Sequence, residues 1–221
     1  MTATQLNQSL MNASKQYKQV MTLLQTQINI LPPSGAMAGV YTTVDNSRGV
    51  WHAPANVTPI GAVGLTLNIT DSMQAPLNVD AVSGKSINAI RFFNGQGILV
   101  WGARTLDGNS DDWRYVNVRR TVTMIEQSVK LAARAYVFAN NDANTWASVK
   151  AMIDNFLTNI WKEGALQGAT ASAAFSVAVG LGTTMTAQDI LDGIMKVSVK
   201  LVVTHPAEFI IIEVMQEMAK S

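Results

Sequence analysis

Met195-Lys196-Val197-Ser198-Val199-Lys200-Leu201-Val202-Val203 alternates apolar and polar residues as far as Leu201, a period of two that marks a β-strand with one buried and one wet face. Working upstream, Thr186 stands three residues before Asp189, a capping box with Asp in place of Glu or Gln, and Gly193 closes the short helix it opens. Ala173, Phe175, Val177 and Val179 alternate with small residues and predict a second strand. Trp146, Val149, Ile153, Phe156, Leu157 and Ile160 share one face of a helix predicted over residues 145–163, stopped by Gly164. Val122, Ile125, Val129, Ala132 and Tyr136 give a helix over 118–138, with Glu126 four residues ahead of Lys130, the favourable order for a surface pair. Residues 98–103 are a short apolar run between Gly95-Gln96-Gly97 and Asp107-Gly108, which predicts a buried strand. This order gives an α/β fold, an α+β sandwich with a small mixed sheet of about four strands flanked by helices.

Downstream, the turn His205-Pro206-Ala207 leads into residues 209–214, apolar except for Glu213 and predicted as a strand. A terminal strand apolar on both faces is an exposed edge unless another sheet covers it, so it is built for pairing. Phe209, Ile210, Ile211, Ile212 and Val214 are therefore interface candidates. At the other end, Leu6, Leu10, Ala13, Tyr17, Val20, Leu24 and Ile28 form one helical stripe over 2–28, and Pro32-Pro33 end it. Residues 34–94, rich in Gly, Pro, Asn and Asp, read as irregular loop with short strands. The expected organisation is an N-terminal amphipathic helix or arm (1–31), a loop-rich segment (32–96) and an α/β domain with a C-terminal strand arm (97–221), with 32–221 one folding unit.

The 221 residues are 48% hydrophobic and only 14% charged, with a net charge of +1. Such a chain has no global field to gather nucleic acid, and its weakly charged surface suits burial in an assembly. With no cysteine, disulfides, thiolate metal sites and cysteine nucleophiles are excluded. The longest uncharged stretch, 164–188, is broken by Gly, Gln, Ser and Thr, so it does not supply the roughly 20 apolar residues of a bilayer span.

His52 and His205 are far apart and sit beside loop formers, which reads as turn histidines rather than a metal pair. No Gly-x-Ser-x-Gly elbow or phosphate-binding Gly-x-x-x-x-Gly-Lys-Ser/Thr loop is present, and Gly95-Gln96-Gly97 precedes a strand instead of following one. Asp107, Asp111 and Asp112 lack the spacing of a calcium loop and read as a turn. Arg114, Arg119 and Arg120 around Tyr115 read as a subunit ion-pair site in a chain of neutral charge. The expectation is no catalytic residue, no cofactor and no metal.

Several stretches together resemble the conserved C-terminal half of contractile tail sheath proteins of phages, pyocins and extracellular injection systems. They are Pro32-Pro33-Ser34-Gly35-Ala36-Met37-Ala38-Gly39-Val40-Tyr41, Arg48-Gly49-Val50-Trp51-His52-Ala53-Pro54-Ala55-Asn56, Asn88-Ala89-Ile90-Arg91, Val100-Trp101-Gly102-Ala103-Arg104-Thr105, Trp113-Arg114-Tyr115-Val116-Asn117-Val118-Arg119-Arg120 and Pro206-Ala207-Glu208-Phe209-Ile210. The resemblance spans about residues 30–214. It implies a small sheet completed by terminal arms of neighbouring subunits, a helical homopolymer around an inner tube, and partners at its ends in baseplate and terminator proteins. It further implies contraction driven by repacking without nucleotide, assembly in the bacterial cytoplasm, and a place in a phage tail or released particle. Neither nucleic acid nor membrane insertion is expected. Lys150, Asp154 and Lys162 on the second long helix are the candidate contact with the inner tube. The alternatives are a sheath-related cap or baseplate-proximal adaptor that does not propagate the lattice and, more remotely, a tail-associated glycan hydrolase using Asp107, Asp111 or Asp112.

Overall fold

The computed structural model describes residues 1–211. Its N-terminal part is two helices, α1 (Ala3–Ala13) and α2 (Lys15–Ile28), in place of the single helix expected. Ser14 breaks the stripe in an extended conformation while its hydroxyl accepts from the Tyr17 amide, so one residue ends one helix and caps the next. The Tyr17 hydroxyl donates to Asn7 Oδ1 at 2.8 Å, folding α2 back along α1.

The region read as irregular contains regular structure. After Pro33 comes α3 (Ser34–Arg48), and Thr70 caps α4 (Asp71–Asn78). Proline suits a helix start, because its missing N–H falls where no intrahelical acceptor exists. Val40 and Val44 then bury one stripe of α3 against Val100, with Met37, Val57 and Ile90 around them. The expected strands include β1 (Ala89–Phe93) and β2 (Gly97–Trp101), an antiparallel hairpin running from Ala89 opposite Trp101 to Phe93 opposite Gly97.

The long helices fall where the periodicity places them, as α5 (Val116–Ala133), continued by a 3₁₀ turn at Arg134–Tyr136, and α6 (Ala143–Lys162). They are followed by α7 (Ala171–Ala174), β3 (Phe175–Val179), α8 (Ala187–Leu191) and β4 (Val197–Leu201). The main core lies between these elements. Val118 and Ile125 of α5 and Val149, Ile153, Leu157 and Ile160 of α6 pack with Phe175, Val177 and Val203.

The α+β class is as expected, but the strands do not form one mixed sheet. β1–β2 and β3–β4 are separate antiparallel pairs. Alternation fixes which face of a strand is buried and leaves its partner open; here two long helices intervene between β2 and β3 and carry the chain to a second hairpin.

At α8, Thr186 Oγ1 accepts from the Asp189 amide at 3.2 Å, and Asp189 Oδ2 accepts from the Thr186 amide at 2.8 Å, the reciprocal cap that the sequence predicts. Lys196 Nζ donates to Asp189 Oδ1 at 2.6 Å. That bond first, then those from Thr186, lower the Asp189 carboxyl from 3.8 to about 2. A depressed carboxylate stabilises the fold above its unfolded value of roughly 4 and loses that contribution as pH falls through its folded value. NMR titration should therefore place the Asp189 midpoint near 2, and Lys196→Met should move it upward toward an ordinary carboxylate.

Candidate assembly site

After β4 the chain runs along the body, held first by backbone bonds and then by side chains. Val203 bridges Leu166, the Thr204 amide donates to the Ala165 carbonyl at 3.2 Å, and Thr204 Oγ1 donates to the Gly164 carbonyl at 3.0 Å. Asn117, buried at the start of α5, donates through Nδ2 to the Thr204 carbonyl at 3.2 Å and to the Trp51 carbonyl at 2.9 Å. The Tyr115 ring meets the His205 ring edge-on at 6.0 Å.

Glu208 takes the strongest set of contacts. Arg104 Nε donates to both carboxylate oxygens at 3.0 Å, Arg104 Nη2 donates to Oε2 at 2.7 Å, and the Tyr115 hydroxyl donates to Oε2 at 3.0 Å. The carboxylate hydrogen bond chiefly holds the Arg104 guanidinium above its ordinary pKa, against the opposing effect of burial. Burial first, and then Glu208, raises the Tyr115 hydroxyl.

Arg104 is itself fixed by its backbone. Its amide donates to Asn88 Oδ1 and its carbonyl accepts from Asn88 Nδ2, both at 2.8 Å. Gly102 makes room for this clamp, since a Cβ there would lie 3.1 Å from Asn88 Cα. A cleft of about 900 Å³ runs beside these groups, lined by Trp51, His52, Gln74, Trp101, Tyr115 and His205 among others.

Beyond Glu208 the character of the segment reverses. Phe209, Ile210 and Ile211 are 68%, 81% and 86% exposed and belong to no strand among the described residues. Ile212 and Val214 of the expected arm lie outside the described residues.

The three arginines make their contacts within the chain. Arg114 pairs with Asp111 and donates through Nε to the Ser110 carbonyl at 2.9 Å. Arg120 forms a fork on Asp45 at 2.8 and 2.5 Å beneath the Tyr41 ring. Arg119 stacks 5.0 Å over Trp113 and, of the three, is the one without a carboxylate partner among the described residues. On α6, Lys150 pairs with Asp154 at 2.5 Å. Lys162 lies roughly 120° round the helix from Lys150, so the three do not form one stripe. Asp107, Asp111 and Asp112 are exposed on the turn before α5, and none lines the cleft. His52 and His205 do share the cleft, and among the described residues no group of three or more His, Asp or Glu could hold a metal.

Sequence reasoning did not single out Arg104, Tyr115, Asn117 and Glu208 as a site, although each lies in a stretch that carries the family resemblance. The available signal was Glu208 itself, a lone charge ahead of four apolar residues, with Arg104 just past a buried strand.

Comparison with known proteins agrees with this geometry. Residues 109–217 match the phage tail sheath C-terminal domain family. The tail sheath protein of Vibrio phage KVP40 is 30% identical over 130 residues, 59% of this chain and 19% of that protein. The tail sheath protein of Burkholderia phage BcepMu is 26% identical over 140 residues, 62% of this chain and 29% of the relative. Among cryo-EM structures, the sheath complex of the extracellular contractile injection system PVC in its contracted state superimposes with a TM-score of 0.80 at 44% identity, covering 85% of this chain and 51% of that one. The contracted helical sheath of the anti-feeding prophage gives 0.77 at 43% identity with the same coverage. The chain thus spans about half the length of these solved neighbours and less of the phage proteins. Over residues 109–217 the chain matches the phage tail sheath C-terminal domain, and by sequence and fold it is similar to the contractile tail sheath proteins.

Proposed function

We propose that this chain is a structural sheath subunit that polymerises helically around an inner tube, with its C-terminal segment adding a strand to a neighbouring copy. The observation that carries the reading is the anchored segment ending in three consecutive exposed apolar residues, Phe209, Ile210 and Ile211, with no strand partner among the described residues. An extended apolar segment supplies main-chain hydrogen bonds to an open sheet edge while alternate side chains set its register. A head-to-tail contact of this kind, repeated without closure, generates a helical polymer. Contraction then acts through repacking of subunits that stay tethered, and baseplate and terminator proteins meet the polymer at its ends. Assembly in the bacterial cytoplasm and incorporation in a tail or released particle fit the same reading.

Negative-stain electron microscopy of the concentrated chain, with and without a matching inner tube, tests it. Striated hollow tubes are expected from the full chain. Removal of residues 209–221 should abolish them while leaving a soluble, folded protein, because the core clusters lie upstream of the cut. Tubes that persist after the deletion overturn the exchange, and monomers from the full chain indicate a subunit that ends a lattice without propagating it.

A further inference from the structure

The hold on the C-terminal segment is concentrated at one carboxylate. Among the described residues no backbone hydrogen bond secures 205–211, the last being that of the Thr204 amide. Past this point the segment is held by side chains, and three separate parts of the fold converge on Glu208. Arg104, just beyond β2, supplies the fork, Tyr115 at the start of α5 supplies the third donor, and the tail supplies the acceptor. Neither donor is free to follow a moving tail, because Asn88 clamps the Arg104 backbone and the Tyr115 carbonyl accepts from the Arg119 amide within α5. A guanidinium fork fixes direction as well as distance, which one contact to an ammonium would not. One residue later the chain is exposed.

We infer that Arg104, Tyr115 and Glu208 form the anchor of the C-terminal arm, so that Glu208 is the last fixed point among the described residues and changes in arm direction take place beyond it. The inference rests on the reading of the tail as an exchanged arm. It adds to that reading the place where a pull on the arm enters the body, at β2 and α5. A tether that must survive a change of lattice needs such a root, since slippage there would lengthen the arm and leave the subunits uncoupled.

The absence of cysteine makes introduced thiols unique reporters. Ala147 on α6 and Ala207 beside the anchor are both exposed, so Ala147→Cys with Ala207→Cys gives a nitroxide pair whose distance distribution reads the segment in the unassembled chain. A narrow distribution is expected, lost in Glu208→Ala and intermediate in Tyr115→Phe, with circular dichroism unchanged. Moving the second label to Ile211→Cys should give a broad distribution whether or not Glu208 is present. A 147–207 distribution that is broad in the native background, or that Glu208→Ala leaves unchanged, overturns the anchor. So does a narrow 147–211 distribution, which would place the last fixed point farther along. Tube formation after removal of 209–221 decides the exchange separately, so the two readings fail independently.

Discussion

Leu157→Ala should lower the free energy of unfolding by about 3 kcal/mol, within the 2–5 kcal/mol range for a leucine truncated in a rigid core. Leu157 is 0% exposed in the C-terminal half of α6, in the cluster that joins α5, α6 and the β3–β4 pair. The lost transfer energy is only part of the cost. The walls around the side chain are a helix and a paired hairpin, each fixed by its own hydrogen bonds, so they cannot collapse far into the space left behind. Urea unfolding should show a lower midpoint with an unchanged slope. Val202→Ala, at a half-exposed position, serves as the control and should fall within about 0.5 kcal/mol of the native chain.

What could be read from the sequence follows from what each element buries. α6 and β4 carry long, uninterrupted periods, so element type and buried face are legible within the chain segment itself. α3 is different. Its core-facing apolar positions Met37, Val40 and Val44 are few, and Gly35, Gly39, Thr42, Thr43 and Asn46 around them have the composition of a turn. It is helical because Pro33 starts it and because Val100, far along the chain, covers Val40 and Val44. α4 hides in the same way, since Pro76 reads as a breaker but falls in a helix of two turns capped by Thr70. The opposite error arises at Ser14, where a continuous stripe suggests one helix and a capping hydroxyl makes two. The candidate site shows the same limit more sharply. The exposed apolar run after Glu208 is visible as composition, whereas its root joins residues 104 and 93 positions apart, and no local period encodes such a pairing.

Asn117→Asp should be more damaging than Asn117→Ala, with a loss of about 4 kcal/mol at neutral pH for a buried group that gives up two hydrogen bonds and gains an uncompensated charge. The native amide is 1% exposed and uses its Nδ2 hydrogens on the carbonyls of Trp51 and Thr204. An ionised carboxylate has no hydrogen to offer and sets a negative oxygen against two carbonyl oxygens. Alanine removes the same donors without adding the charge, so its loss should stay near 2 kcal/mol. The two variants also differ in pH dependence. Burial raises the folded pKa of the new aspartate above its unfolded value near 3.9, so the penalty is smallest below about pH 4 and grows as pH rises through the folded value. A protonated carboxyl can still donate to one of the two carbonyls, which narrows the gap to alanine further in acid. Urea unfolding at pH 4 and pH 7 checks this: a strongly pH-dependent loss for Asp beside a nearly constant one for Ala is expected, and equal losses at both pH values would mean that the carboxylate reaches water. Because Thr204 is, among the described residues, the last backbone position tied into the body, releasing it also loosens the start of the segment that Glu208 anchors. Both variants should therefore form fewer tubes even at temperatures where the fold survives, with the aspartate variant the more severely affected.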